Sequence, residues 1–186
     1  VSIRNLAGGL LPIFDPFENI SNETYTSNLE PPSEIYNKMF DIDPKTMYGK
    51  ILVGYQGWFT TSCDKGLKRW HHWSDRETPG LDTVTVDMWP ELEEYDADEL
   101  CETEFVSKDG KKLSLFSSYN KKTVDRHVRW MKDYGIDGCF VQRFIADIRA
   151  FRHMRDHVLR NVQKSSERYG RVFSNVYDLT GAGASS

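Results

Sequence analysis

Leu113-Ser-Leu-Phe-Ser-Ser-Tyr119 is the first of three short apolar runs in the C-terminal third of this chain. Gly138-Cys-Phe-Val-Gln-Arg-Phe144 and Arg171-Val-Phe-Ser-Asn-Val-Tyr-Asp-Leu179 follow it, and helix-like segments separate the three. Strands that alternate with helices pair in parallel, because the connection has to return the chain to the same end of the sheet. The pattern therefore predicts a strand, helix, strand, helix, strand run, with a polar or aromatic residue closing each strand. A parallel α/β barrel builds its binding face in this way.

The two intervening helices are predicted from their apolar periodicity. Apolar residues recur at i, i+4 and i+7 within 121–134, and Gly135 stands where a left-handed C-cap belongs. The second helix is expected over 147–169, with Gly170 ending it. Each predicted strand begins within a few residues of its glycine. Such short loops suit a barrel and a doubly wound sheet equally well.

Composition limits the classes of partner. The chain has 186 residues, of which 39% are apolar and 13% aromatic, so one core and a single domain are expected. A net charge of -4 gives no electrostatic reason to bind nucleic acid or an anionic membrane. We expect no membrane span, because no apolar run approaches the roughly 20 residues that a spanning helix needs.

No cofactor or metal ion is expected. Gly181-Ala-Gly183 lacks the third glycine and the following helix of a dinucleotide-binding motif. His153 and His157 are spaced i, i+4 on the second helix, but without the glutamate of a zinc-protease motif they read as part of a solvated face. His71 and His72 are adjacent, and their side chains should diverge in an extended chain, so we do not expect them to chelate one ion.

Three regions are distinguished along the chain. Residues 1–46 read as an irregular leader, 47–180 as the N-terminal half of a barrel, and 181–186 as a low-complexity tail. A first buried strand is predicted within 50–57. Residues 91–104 hold eight carboxylates without a lysine or arginine, which favours a solvated surface loop over a cation site. The chain begins with valine, as a processed chain or a fragment would.

Two glycosylation sequons lie in the leader, at Asn19 and Asn22. They favour a secretory origin, since acceptor sites are used on proteins of the secretory pathway. The cysteines leave the matter open: Cys139 reads as a small buried side chain, and a disulfide between Cys63 and Cys101 is one alternative.

Aromatic residues beside polar ones crowd the stretch between the first two predicted strands. The groups are Trp58-Phe59, Trp70-His-His-Trp-Ser-Asp75 and Val86-Asp-Met-Trp-Pro90. Indole faces cover the apolar C–H faces of a pyranose while neighbouring polar groups bond its hydroxyls. This composition predicts a sugar-binding cleft, and the alternative is ordinary packing of large side chains with a polar tip.

Seven segments of the chain together carry a family resemblance. They are Leu52-Val-Gly-Tyr-Gln-Gly-Trp-Phe59, Arg69-Trp-His-His-Trp73, Asp87-Met-Trp-Pro-Glu-Leu-Glu-Glu-Tyr95, Phe116-Ser-Ser-Tyr-Asn120, Thr123-Val-Asp-Arg-His-Val-Arg-Trp-Met131, Tyr134-Gly-Ile-Asp-Gly138 and Val141-Gln-Arg-Phe144. These segments resemble the first half of a glycoside hydrolase barrel, of the group often labelled xylosidase/arabinosidase, which is related to the endo-acting α-mannosidases of glycoside hydrolase family 99 and to family 71. The resemblance implies the first four units of a (β/α)8 TIM barrel, with the binding site at the carboxyl ends of the strands.

The resemblance also implies which side chains face a saccharide. For Arg143 an alternative is an ion pair with a neighbouring carboxylate at the rim. The implied sugar-facing residues are Tyr55, Gln56, Trp58, His71, His72, Trp73, Trp89, Tyr119, Asn120, Gln142, Arg143 and Tyr177.

Catalysis would need a pair of carboxyl groups, one of them protonated near neutral pH. Asp87 and Asp178 are the candidates, although the acid and base carboxylates of the resembled hydrolases, carried on later strands, are not found in this sequence. Two functions are therefore predicted as alternatives. Either the chain contributes sugar-binding subsites to a glycoside hydrolase, or it is a catalytically silent truncated product that binds carbohydrate weakly. In both cases the oligosaccharide is the expected partner, and open barrel edges predict self-association.

Overall fold

The computed structural model describes residues 41–75 and 77–182. The sequons at Asn19 and Asn22 and most of the predicted leader and tail lie outside this range. A short 3-10 turn at Ala97–Glu99 precedes the second strand. The remaining elements, in chain order, are β1 (Leu52–Tyr55), β2 (Leu100–Val106), β3 (Lys112–Phe116), α1 (Lys121–Asp133), β4 (Gly138–Phe144), α2 (Ile148–Tyr169) and β5 (Val172–Asp178).

Three strands form a parallel sheet in the order β1, β4, β5. Gly138 opens β4 and lies opposite Leu52 on one side and Val172 on the other. A Cβ atom at Gly138 would lie 1.8 Å from the backbone oxygen of Val172, so only glycine allows the two strands to approach this closely. The parallel pairing of the last two predicted strands is confirmed.

Both helices pack on one face of this sheet. Val124 and Met131 of α1 meet Val158 and Val162 of α2 in a single core, which also contains Val141 of β4. Both predicted helices are confirmed, and the glycines that follow them, Gly135 and Gly170, have φ values of 71° and 63°. Side chains alternate along β4, so Phe140, Gln142 and Phe144 point to the other face, where they are partly exposed. Within the described residues no helix covers that face.

The predicted half barrel is wrong. β3, expected as the second parallel strand, instead pairs antiparallel with β2 in a separate two-stranded sheet, with Leu100 opposite Phe116. β4 pairs with β5 on one side, and its neighbour on the other side is β1, which lies far earlier in the chain. The structure is therefore a small mixed α/β fold, with a three-stranded parallel sheet, two helices and one antiparallel pair, rather than a strand and helix alternation around a barrel.

Local chemistry explains the antiparallel pair. Cys101 and Thr103 of β2 are buried, whereas Glu102 and Glu104, which alternate with them, are exposed. This alternation is typical of a half-buried strand. Gly110, with a φ of 81°, turns the chain between the two strands. The predicted surface loop over 91–104 is thus wrong at its C-terminal end, because its last carboxylates belong to the exposed side of β2.

A disulfide joins the long connection after β1 to this second sheet. Cys63 and Cys101 are bonded, with a sequence separation of 38 residues and 5.7 Å between their Cα atoms. Cys139 is free and buried on the helix-facing side of β4, as the sequence predicts. Burial raises the pKa of its thiol to about 12, so this sulfur is inert near neutral pH.

Candidate functional site

Aromatic and basic side chains meet above the carboxyl ends of β1 and β4. Trp58, just after β1, is 6% exposed and packs beside Phe144, the last residue of β4, with ring centroids 5.2 Å apart. The His72 ring lies 5.1 Å from Trp58 on another side. We call this group the carboxyl-edge cluster. Its members are Trp58, His71, His72, Phe144, Phe151 and Arg155.

The first turns of α2 complete the cluster. Phe151 stacks on His71 with centroids 4.7 Å apart, and the Arg155 guanidinium lies 5.5 Å from the Phe151 ring and 5.8 Å from the Trp58 ring. Arg155 is 6% exposed, and Asp147 accepts a hydrogen bond from its Nη2 at 3.1 Å. α2 thus supplies a buried cation beside the indole, held in place by one carboxylate and two aromatic faces.

The histidine pair differs from the sequence prediction. His72 has a φ of 63°, in the left-handed region, so the chain is not extended there and the two imidazoles lie 4.2 Å apart instead of diverging. Burial, then His71 and Arg155, lower the pKa of His72 to about 4. Burial, then Arg155 and Arg69, also lower the pKa of His71. Both rings are therefore neutral at pH 7.

Gln142 and Asp178 form a polar pair next to this cluster. Phe144 and Asp178 are opposite each other on β4 and β5, so Asp178 shares the face that carries Gln142 and Phe144. Gln142 Nε2 donates to Asp178 Oδ2 at 2.7 Å. Hydrogen bonds from Thr180, and secondarily from Gln142, lower the pKa of the Asp178 carboxyl. Asp178 is consequently an ionised acceptor at neutral pH, placed beside an aromatic surface.

Trp73 and Trp89 lie elsewhere. Trp73 is 4% exposed, packs with Cys101 and Leu115, and donates from Nε1 to the backbone oxygen of Phe116 at 2.8 Å. Trp89 packs on the same core, with its ring 5.5 Å from that of Phe105. The packing alternative therefore describes these two tryptophans. Both indoles stabilise the β2 and β3 pair.

Tyr55 also belongs to the interior. Its hydroxyl lies 3.0 Å from Nδ1 of His127, and the hydroxyl of Tyr95 lies 2.6 Å from Nε2 of the same ring. A neutral imidazole carries one donor and one acceptor, so one tyrosine donates to His127 and the other accepts from it. The three side chains form a closed polar link between β1, α1 and the loop before β2.

The other predicted site residues have structural partners or lie in the open. Asn120 caps α1, accepting from the backbone amide of Lys122 at 3.0 Å. Tyr119 stacks on His157 with centroids 4.0 Å apart. Arg143 follows its alternative interpretation, since it is 8% exposed and its Nη2 lies 2.5 Å from Asp156. The exposed residues are Gln56, Asp87 and Tyr177.

Four side chains in or beside the cluster were not predicted as site residues, namely Phe144, Phe151, Arg155 and Arg69. Phe151 and Arg155 lie on α2, and nothing in their local sequence indicates a contact with a distant aromatic loop. Arg69, whose guanidinium carbon lies 5.5 Å from the Phe151 ring, comes just before the aromatic group of its loop. The contact of α2 with the loop after β1 brings Phe151, Arg155 and Arg69 together.

The part of the chain that the structure describes holds no group of three or more His, Cys, Asp or Glu side chains able to bind a metal ion. It also holds no helix long and apolar enough to cross a membrane. Comparison with models of known protein families, with curated proteins and with solved structures gives no match.

Proposed function

We propose that this protein binds carbohydrate at the carboxyl-edge cluster, and that the Gln142 and Asp178 pair forms hydrogen bonds with the hydroxyl groups of the sugar. The observation that carries the proposal is the position of Trp58 against Phe144, at the same edge of the sheet as the Asp178 carboxylate and the Gln142 amide. The sequence resemblance to glycoside hydrolases of the xylosidase/arabinosidase and endo-mannosidase type implies the same class of ligand, although no family model matches the chain and the barrel expected from that resemblance is absent.

The chemistry of the two parts is complementary toward a pyranose. Phe144 is partly exposed at the strand end and offers an apolar face to sugar C–H groups. Asp178 accepts from hydroxyls, and Gln142 both donates and accepts. A carboxylate at the rim of an aromatic surface orients a sugar by accepting hydrogen bonds from two adjacent hydroxyls. Asp178 and Gln142 would therefore fix the position and orientation of the pyranose on Phe144.

Binding is favoured over hydrolysis by the state of Asp178. Glycoside hydrolysis uses a protonated carboxyl group and a second carboxylate about 5 to 10 Å away. Asp178 is held ionised and therefore fits the role of base or nucleophile, or of a hydroxyl acceptor, but not that of the acid. Asp87, the other candidate, lies exposed in the connection between β1 and β2. Hydrolysis is the second candidate function, and aryl xylosides, arabinosides and mannosides are the substrates that test it.

Exchanging Asp178 for asparagine tests the binding site. Asp178→Asn keeps the shape of the side chain and removes its charge, so we expect the affinity for the best ligand in a panel of xylo-, arabino- and manno-oligosaccharides to fall about tenfold, since hydrogen bonds to charged groups contribute roughly 1.5 to 3 kcal/mol. Isothermal titration calorimetry measures the change. Asp87→Asn is the matched control and should leave the affinity unchanged.

The proposal fails if both asparagine variants bind like the parent protein, or if no member of the panel binds. Trp58→Ala provides a second check, because it removes the indole that packs beside Phe144 while leaving the acceptor in place. Its folded fraction is measured first by circular dichroism, since the indole is buried.

We also propose that the protein is secreted and self-associates. The Cys63 and Cys101 disulfide fits an extracellular environment, where such bonds persist. β5 is paired on one side only within the described residues, and the exposed side chains Val176, Tyr177 and Leu179 lie along it. A second copy that pairs antiparallel with this edge would join two sheets into one.

A charge at the centre of β5 tests this association. In a two-fold antiparallel pair of β5 strands Asn175 would lie opposite its own copy, so Asn175→Lys places two like charges together. We expect sedimentation equilibrium to show a dimer for the parent protein and a monomer for Asn175→Lys. Met88→Lys, which adds the same charge at another exposed position, is the control. A parent protein that stays monomeric at high concentration contradicts the proposal.

A further inference from the structure

We propose that the carboxyl-edge cluster selects saccharides that carry a negative charge, with Arg69 as the group that binds the anion. This inference rests on the proposed carbohydrate binding and names its ligand class. The cluster has two chemically different ends, and their difference is the basis of the proposal.

One end is the acceptor end described above. Asp178 stands beside Phe144, and the sequence of ring contacts then runs from Phe144 to Trp58, His72 and His71. An anionic group on a ligand would be repelled by the ionised Asp178 carboxylate. A charged saccharide must therefore place its hydroxyls at this end and its anion at the other.

The other end is cationic. His71 stacks on Phe151, and the guanidinium of Arg69 lies 5.5 Å from the centre of the same Phe151 ring. Arg69 is partly exposed, and no carboxylate forms an ion pair with it within the residues that the structure describes. Its Nε atom is buried and has no hydrogen-bond partner there, so only the terminal amino groups of its guanidinium are open to a ligand. A guanidinium held against an aromatic ring with these donors unpaired is suited to an incoming carboxylate or sulfate.

The surrounding charges reinforce this end. One arginine lies in the connection after β1, one near the end of β4 and three in the first turns of α2, and two aspartates pair with three of the five, in a chain whose net charge is -4. Asp147 is taken by Arg155, and Asp156 is shared by Arg143 and Arg152, so neither neutralises Arg69. The five arginines are Arg69, Arg143, Arg149, Arg152 and Arg155.

The pKa values of His71 and His72 reflect the same positive charges. Arg155 lowers the pKa of both His71 and His72, and Arg69 lowers that of His71, in each case after the larger effect of burial. The histidines are neutral at pH 7 and add no cation of their own. The positive potential at this end comes from arginine, which keeps its charge at every physiological pH.

The ligand class that fits is a uronic acid or a sulfated sugar. Both present a planar or tripodal anion to which a guanidinium donates two parallel hydrogen bonds, and both keep the pyranose face that an aromatic surface covers. Their shared feature is an anion on the ring substituent, which a neutral xylose or glucose unit lacks.

A series of methyl β-pyranosides that differ only at C5 tests the proposal. The xyloside carries hydrogen there, the glucoside a hydroxymethyl group and the glucuronide a carboxylate, and the 6-sulfate of the methyl glucoside adds the sulfate. Chemical-shift titration by NMR measures each dissociation constant. We expect the carboxylated or the sulfated sugar to bind at least tenfold more tightly than the xyloside and the glucoside, and this ratio to shrink as salt is raised, because salt screens a partly exposed pair.

Arg69→Gln should abolish the preference and leave the affinity for the neutral sugars unchanged. Arg160→Gln, at an exposed position further along α2, is the matched control and should keep the preference. A preference for only one of the two anions supports the proposal and names the anion. Equal affinity for neutral and charged sugars overturns it while the proposed binding function stands. If none of the sugars binds, the proposed function itself has failed.

Discussion

Replacing Cys63 and Cys101 together with alanine is expected to lower the free energy of unfolding by about 4 kcal/mol. The bond closes a loop of 38 residues, and the chain-entropy cost of leaving such a loop open in the unfolded state is of this size. The closed loop carries Trp70 to Trp73 and the whole acidic stretch before β2. Its loss therefore loosens the histidine pair as well as the second sheet. Urea denaturation measures the change in free energy.

Thiol counting provides the internal check. Under denaturing conditions without reductant the parent protein should show one free thiol, that of Cys139, and three after reduction. Cys63 is exposed, so a dithiol reductant should destabilise the parent protein as much as the double substitution does. The double variant should not respond to reductant. A parent protein with three thiols before reduction would show that the two sulfurs are not bonded in solution.

Lowering the pH from 6.5 to 4 is expected to cost this protein about 3 kcal/mol of stability through His127 alone. Burial, and then the Arg126 charge, lower the pKa of His127 to about 4, against about 6.5 in an unfolded chain. Between pH 6.5 and 4 the unfolded chain therefore binds a proton at His127 that the folded protein does not bind. Stability is complete above pH 6.5 and declines as the pH falls toward 4.

His127→Gln should flatten this pH dependence, although it lowers the stability at pH 7 by breaking the link between Tyr55 and Tyr95. His72, whose pKa is also lowered to about 4, accounts for part of the slope that remains. Denaturation curves at several pH values give the slope. His153→Gln, on the exposed side of α2, is the control and should keep the slope of the parent protein. An unchanged slope in His127→Gln would contradict the assignment.

The helices were predictable because their signals are local. An apolar stripe with a period of 3.6 residues and a glycine able to adopt a positive φ define where α1 and α2 end, and both ends were predicted correctly. The strand partner of β3 was not predictable in the same way. Strand pairing depends on contacts with a segment that is distant in the sequence, and no local signal names that segment. The acidic composition of β2 also concealed its alternation of Cys101 and Thr103 with Glu102 and Glu104.

The candidate site was predicted in part for a comparable reason. Trp58 follows β1, Gln142 lies near the end of β4 and Asp178 ends β5, so the parallel pairing of these three strands brings them to one edge. Trp73 has the same local composition but a core position. A tryptophan whose indole nitrogen finds a backbone carbonyl looks, in sequence, like a tryptophan that faces a ligand. Arg155 could not be foreseen, because its contact depends on how α2 packs against a loop nearly a hundred residues earlier.

The placement of both helices on one face of the parallel sheet has a consequence for how ligand and partner influence each other. Gln142 and Phe144 project from the opposite face, which in parallel sheets is ordinarily covered as well. A body that settles on that face beside the Gln142 and Asp178 pair would become a wall of the proposed sugar site, excluding water from the Asp178 carboxylate and strengthening its hydrogen bonds. Occupancy of the two surfaces would then be thermodynamically linked, each raising or lowering the affinity of the other by the same factor.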